Sequence, residues 1–294
     1  MRIITLFFIS LISFASEAQD TISAINKKRL IPVATGVVGL YTASMIGLNE
    51  LWYKNNPRSS FHFFDDSGEW KQMDKLGHAT TSFHESRFAV DVLRWSGVPK
   101  KKAYIIGGLA GFVFQTPIEF LDAYSSEYGF SWTDVAANAS GSALVIGQYL
   151  LWDELRIQPK FSFHQTKFAK ERPNVLGKSL NEQLLKDYNG QTYWLSFNIL
   201  SFLSNKESGF PKWLNVSLGY SAENMIYGQD KQNKAAGYDP YRQYFLSLDI
   251  DFTKIRTRSK VLNFIFDYGL NILHVPAPAL EYSRKGFKFH PVYF

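Results

Sequence analysis

The hydrophobic pattern of the chain changes period near residue 155. Before that point residues 31–49, 103–118 and 135–152 are long apolar stretches without charge, and a charged amphipathic segment, 74–95, lies between the first two. All four predict helices. Small residues are dense in them, with Gly107 and Gly111 at GxxxG spacing and Ala136, Ser140 and Gly141 in the last. Such residues let helix backbones approach closely. After residue 155 the period drops to two. Leu195, Phe197 and Ile199 alternate with Ser196 and Asn198; Leu214, Val216, Leu218 and Tyr220 alternate with Asn215, Ser217 and Gly219. Tyr244, Leu246, Leu248, Ile250 and Phe252 alternate with Ser247, Asp249 and Asp251, and a fourth run covers residues 262–272. Weaker strands are expected at 161–168 and 286–294, a connector at Pro173 and 177–190, and a long loop at 221–240.

The pattern therefore predicts an α+β chain: an N-terminal bundle of about four helices, then an antiparallel sheet of about four to six strands. The expected boundaries are 1–18 for a leader, 19–155 for the bundle and 156–294 for the β-rich region. The alternating strands fit a sheet whose apolar face packs on helices and whose polar face meets water. They also fit a lipid-facing sheet of an outer-membrane barrel, but about six strands fall short of the eight a single-chain barrel needs, which favours the packed sheet.

The N-terminus sets the compartment. Arg2, an apolar run over residues 3–14 and small residues around Ser16-Glu17-Ala18 form a secretory leader, with the mature chain expected from Gln19. The 19 residues of 31–49 would cover about 28 Å as a helix, close to a bilayer core. Trp52, Trp70, Trp95, Trp132 and Trp152 stand at predicted helix ends, as in an interfacial belt. Against inner-membrane spans, the stretches contain Asn49, Gln115, Pro117, Asn138 and Gln148, and Lys27-Lys28-Arg29 would lie on the wrong side of the first helix. The expected location is thus the outer membrane or periplasm, with the inner membrane as the alternative.

Composition narrows the chemistry. Aromatics are 16% of 294 residues, and the absence of cysteine removes disulfides, thiol catalysis and an N-terminal lipidated thiol. Residues 1–155 carry 13 basic and 15 acidic side chains, a net −2, and residues 156–294 carry 19 and 11, a net +8, which together make the +6 of the chain. For an exported chain this points to membrane lipid or envelope proteins as partners rather than nucleic acid. Triad, phosphate-cradling and dinucleotide motifs are all missing from the sequence.

The segment Asp74-Lys75-Leu76-Gly77-His78, then Glu119 and Asp122, then Ser131-Trp132-Thr133-Asp134 with Asn138 and Gly141, resembles the YfiM-like family of envelope proteins of unknown function. The spacing is more distantly similar to the VanZ-like membrane family. The resemblance covers about residues 70–152, and it implies an envelope location and a shared polar site, not a reaction.

Read from spacing alone, Asp74 and His78 share a helix face, as do Glu119 with Asp122 and Asp134 with Asn138. If the faces converge, His78, Asp134 and Asp74 are the candidate catalytic groups, and Glu119, Asp122 and His78 the candidate ligands of a divalent cation. Crowded carboxylates would raise one another's pKa. The competing reading is structural: Asp74 as a helix cap, Ser131 and Asp134 as a capping box, Asn138 and His78 as packing contacts. A second candidate is Lys254, Arg256, Arg258 and Lys260, which in extended chain would project together and grip lipid phosphates. The expected function is a structural or interaction component of the outer membrane; the alternatives are a membrane-bound hydrolase or transferase acting on lipid or glycan headgroups, and an anionic-lipid-binding module.

Overall fold

A computed structural model describes residues 25–54, 56–203 and 209–294, so the expected leader lies outside the described residues. The chain divides into two compact units, Met1–Asp65 with Thr81–Leu151, and Asp66–Thr80 with Trp152–Phe294.

The first unit is helical. Helix α1 (Lys27–Leu48) starts where the Asn26 side chain accepts the Arg29 N–H, and it runs into a five-residue π turn, Asn49–Tyr53. None of its side chains is buried. Helix α2 (Met73–Trp95) contributes its residues from Thr81 onward; α3 (Lys100–Gly108), α4 (Ala110–Asp122) and α5 (Trp132–Trp152) complete the unit. The stretch expected as one helix at 103–118 is broken at Leu109, where the chain re-starts as α4. By length and composition alone, α1 and the span Lys100–Asp122, α3 and α4 taken together, are long and apolar enough to cross a bilayer.

The small residues do what their spacing predicts. A Cβ on Gly107 would meet the Val90 backbone nitrogen at 2.6 Å, and one on Gly111 would lie 1.9 Å from the Ser82 carbonyl oxygen. Helix α4 opens without a side-chain cap of its own, so its first N–H groups need outside acceptors. Ser86 Oγ accepts from Gly111 N at 3.0 Å and Ser142 Oγ from Phe112 N at 2.9 Å. These two hydroxyls are 2.9 Å apart, and Ser82 Oγ lies 3.1 Å from Ser142 Oγ.

The second unit is a six-stranded antiparallel meander in the order β1 to β6. Its strands are β1 (Ile157–Phe163), β2 (Gln191–Asn198), β3 (Leu214–Glu223), β4 (Tyr241–Ile250), β5 (Ala277–Ser283) and β6 (Gly286–Tyr293). Short helices fill the connections: α6 (Phe168–Glu171), α7 (Pro173–Leu176) and α8 (Leu180–Lys186) before β2, α9 (Ile199–Phe202) after it, and α10 (Asp230–Ala235) in the expected loop.

The expected strand over 262–272 is instead helix α11 (Lys260–Tyr268) followed by a 3-10 turn, Leu270–Ile272. Val261, Phe264, Ile265 and Tyr268 fit a helical repeat as well as the even-numbered residues fit a strand, and Ser259 decides it by accepting the Leu262 N–H. The strand overlooked in sequence is β5, whose Pro278 and small alanines conceal the alternation. It survives because the register shifts between Ala277 and Ala279, where a proline is tolerated.

The sheet is inverted relative to the packed arrangement. One lateral row runs Leu195, Leu218, Leu246, Leu280 and Phe289 across β2 to β6, and these side chains are 41–63% exposed. The neighbouring row is aromatic on every strand: Phe161, Tyr193, Tyr220, Tyr244, Tyr282 and Phe287. The opposite face is buried and polar. Lys160 and Asp249, both inaccessible, pair at 2.7 Å; Ser196 donates to Asp249 at 2.6 Å and Asn215 to Ser196 at 2.8 Å. A small apolar patch of Trp194, Phe245, Ala279 and Tyr293 sits among them. Gly219 makes room for the Trp194 ring, which would lie 2.6 Å from any Cβ there. Within its own unit, the face that the sheet buries is the polar one.

Candidate functional site

The DKxxH segment belongs to the sheet unit and follows an unusual turn. Trp70, Lys71 and Gln72 have φ of 45°, 53° and 66°. Left-handed backbone costs a non-glycine residue roughly 1–2 kcal/mol, so the turn has to be held from outside. Trp70 N donates to Gly228 O at 2.8 Å, and Tyr220 OH to Lys71 O at 2.5 Å. Arg242 donates to Gln72 Oε1 at 2.6 Å and to Tyr220 OH at 2.9 Å. The Lys71 ammonium pairs with Asp230. Met73 then buries against Ala222 and Met225, fixing the first turn of α2 on β3.

From that turn Asp74, Lys75 and His78 project together. Tyr188 OH donates to Asp74 Oδ1 at 2.8 Å, and Lys75 Nζ reaches Asp74 at 3.1 Å and Asp66 at 2.6 Å. His78 Nε2 is 3.9 Å from Asp74 Oδ1, an electrostatic neighbour rather than a hydrogen-bond partner. Burial pushes the Asp74 carboxyl up, but His78, Lys75 and the Tyr188 hydroxyl outweigh it and hold the carboxyl below its ordinary value. The direction is downward, set first by His78 and then by Lys75 and Tyr188 against the desolvation. In this unit the arrangement fixes an ionised carboxylate beside an imidazole; it does not make Asp74 a base of raised pKa.

Glu119, Asp122, Asp134 and Asn138 stand in the helical unit. Glu119 is fully buried on α4, and Asp122 accepts from Tyr53 OH at 2.6 Å. Ser131 Oγ accepts the Asp134 N–H at 3.1 Å, the capping contact that the S-x-x-D spacing predicts. The Asn138 carbonyl accepts from Ser82 Oγ at 2.6 Å. Sequence reasoning missed Ser82, Ser86 and Ser142, although two serines four apart in α2, opposite the Gly107 and Gly111 spacing, were the available signal. It also missed Tyr188 and Asp66, which no motif marks.

The basic run does not form an extended ladder. Lys254 ends a 3-10 turn (Phe252–Lys254) and lies 3.9 Å from Glu154. Arg256 binds both oxygens of Asp267, at 3.0 and 2.8 Å, and Lys260 begins α11. Capping by Asp251 and Ser259 turns this stretch away from strand geometry.

Residues 62–150 match the family described as "Predicted periplasmic lipoprotein (DUF2279)". No curated protein and no solved structure matches the chain. The matched span holds Asp74, His78, Glu119, Asp122 and Asp134 but none of the six strands. The chain is an exported cell-envelope protein, consistent with the leader read at its N-terminus. The described lipoprotein character has no counterpart in these 294 residues, which contain no cysteine to acylate.

Proposed function

We propose that this chain is a non-enzymatic component of the outer membrane whose six-stranded sheet turns its apolar face to lipid acyl chains. The observation that carries this reading is the inversion of the sheet: the leucine row with Tyr244, Tyr282 and Phe287 outside, hydrogen-bonded polar groups inside. A water-exposed sheet shows the opposite arrangement, whereas strands in an outer membrane alternate apolar-out and polar-in with aromatic side chains at the headgroup level. Exposed Tyr244, Tyr282 and Phe287, beside the row through Leu246 and Leu280, have that order, while Tyr193 and Tyr220 of the same row pack against the Met73 cluster.

The test is an arginine on the outer face. In membranes, Leu246→Arg should lower unfolding stability by about 2–4 kcal/mol. If that face meets water, the same change should cost no more than about 0.5 kcal/mol. Gln232→Arg, on an exposed position of α10, serves as the control in denaturant titrations of the chain in phospholipid vesicles. Equal midpoints for the two variants, in a protein that stays dispersed without detergent, would overturn the reading.

A further inference from the structure

We infer that α11 is an interfacial anchor: its outward apolar side enters the boundary between headgroups and acyl chains, and Arg258 and Lys260 contact anionic lipid phosphates. The inference rests on the proposed membrane seat of the sheet, but it uses different residues and can fail alone. Val261 is 71% exposed, Phe264 56% and Ile265 44%. The other side of the helix holds it to the protein. Asn263 accepts the Thr257 N–H at 2.8 Å and donates to the Thr257 carbonyl at 3.0 Å. Phe266 packs on Phe252 with ring centroids 5.7 Å apart, and Asp267 pairs with Arg256. A helix on a water-soluble surface faces its apolar stripe inward; α11 faces it outward.

Charge specifies the occupant. Arg256 is neutralised by Asp267, and Lys254 approaches Glu154. Arg258 and Lys260 are exposed and have no acidic partner among the described residues. A second copy of the chain docked on this helix would bring the same two cations together, which disfavours self-association. An anionic membrane supplies both the apolar medium and the countercharge. The place in the chain agrees: α11 follows the end of β4 at Ile250, which pairs with Leu214 at the start of β3, and exposed Trp213, Phe202 and Leu203 precede that start.

The absence of cysteine makes the test direct, because a single introduced thiol is the only labelling site. The full chain carrying Ile265→Cys with an environment-sensitive fluorophore is reconstituted in vesicles of phosphatidylcholine alone or mixed with phosphatidylglycerol, and quenching by bromine-labelled acyl chains is read. The expected result is strong quenching with phosphatidylglycerol. Arg258→Glu with Lys260→Glu should weaken it, each lost cation lowering the local partition constant about fivefold. Acidic residues at a helix start favour the helix, so loss of quenching in that variant is not loss of α11. A label at residue 265 that stays aqueous in anionic vesicles, or that is shielded only by crosslinkable contact with another copy, overturns the inference. A parallel Leu246→Cys label reports on the sheet: quenching at 246 without quenching at 265 sinks the anchor alone, and quenching at neither sinks both.

Discussion

Asp74 sits where burial alone would protonate it, and three neighbours reverse that preference. Its carboxyl in the folded chain titrates below the ordinary 3.8, so the folded state binds this proton more weakly than the unfolded one. The stabilisation is therefore present above the unfolded value and is lost as pH falls through the lower folded value. Thermal melts of the chain between pH 6 and pH 3 should show stability declining below about pH 4, with a shallower decline in Asp74→Asn. Parallel pH profiles for the two proteins would mean that Lys75 and Tyr188 do not favour the ionised form. The DKxxH motif was readable in the sequence because its spacing is local. Tyr188, which adds to the lowering by His78 and Lys75, and Asp66, which pairs with Lys75, were not, because both come to the motif only through the fold of the sheet unit.

At the scale of elements, the helical unit depends on how closely backbones approach. A methyl at Gly111 would meet a backbone carbonyl at 1.9 Å, and neither partner can rotate away. Gly111→Ala should destabilise the protein by about 1–3 kcal/mol or more. Gly147→Ala, in the interior of α5 with nothing within 4 Å of the added Cβ, should instead stabilise it by about 0.5–1 kcal/mol. Opposite shifts of the melting midpoint are the expected result, and equal shifts would refute the close packing at Gly111. The helices at 31–49 and 135–152 were legible because long apolar runs carry their own period, and that at 74–95 because it is amphipathic, but the break at Leu109 within 103–118 was not. Residues 260–272 were not, since the same hydrophobes satisfy both a two-residue and a 3.6-residue repeat and only the Ser259 cap separates them. The strand β5 was hidden by Pro278, whose place at a register shift is visible only in the paired sheet.

For the molecule as a whole, the alternation that announced the sheet left open which of its faces would be covered, because either choice has a period of two. The choice is made by contacts remote in sequence: Lys160 with Asp249, Asn271 with Gln158, Thr192 with Tyr293. Once those polar groups satisfy one another, the leucine row and Tyr244 and Tyr282 are left exposed. Two forces compete to explain the proposed membrane attachment: the +8 of residues 156–294 and the exposed apolar side chains of the sheet. They respond differently to salt. Raising ionic strength from 0.1 M to 1 M shortens the screening length from about 10 Å to about 3 Å and weakens a charge-held protein, but it leaves apolar burial intact or strengthens it. Membranes from cells expressing the chain should thus retain it through a 1 M salt wash and an alkaline carbonate wash and release it to detergent. Release by salt alone would make charge the whole attachment and would leave the inverted sheet without lipid to face.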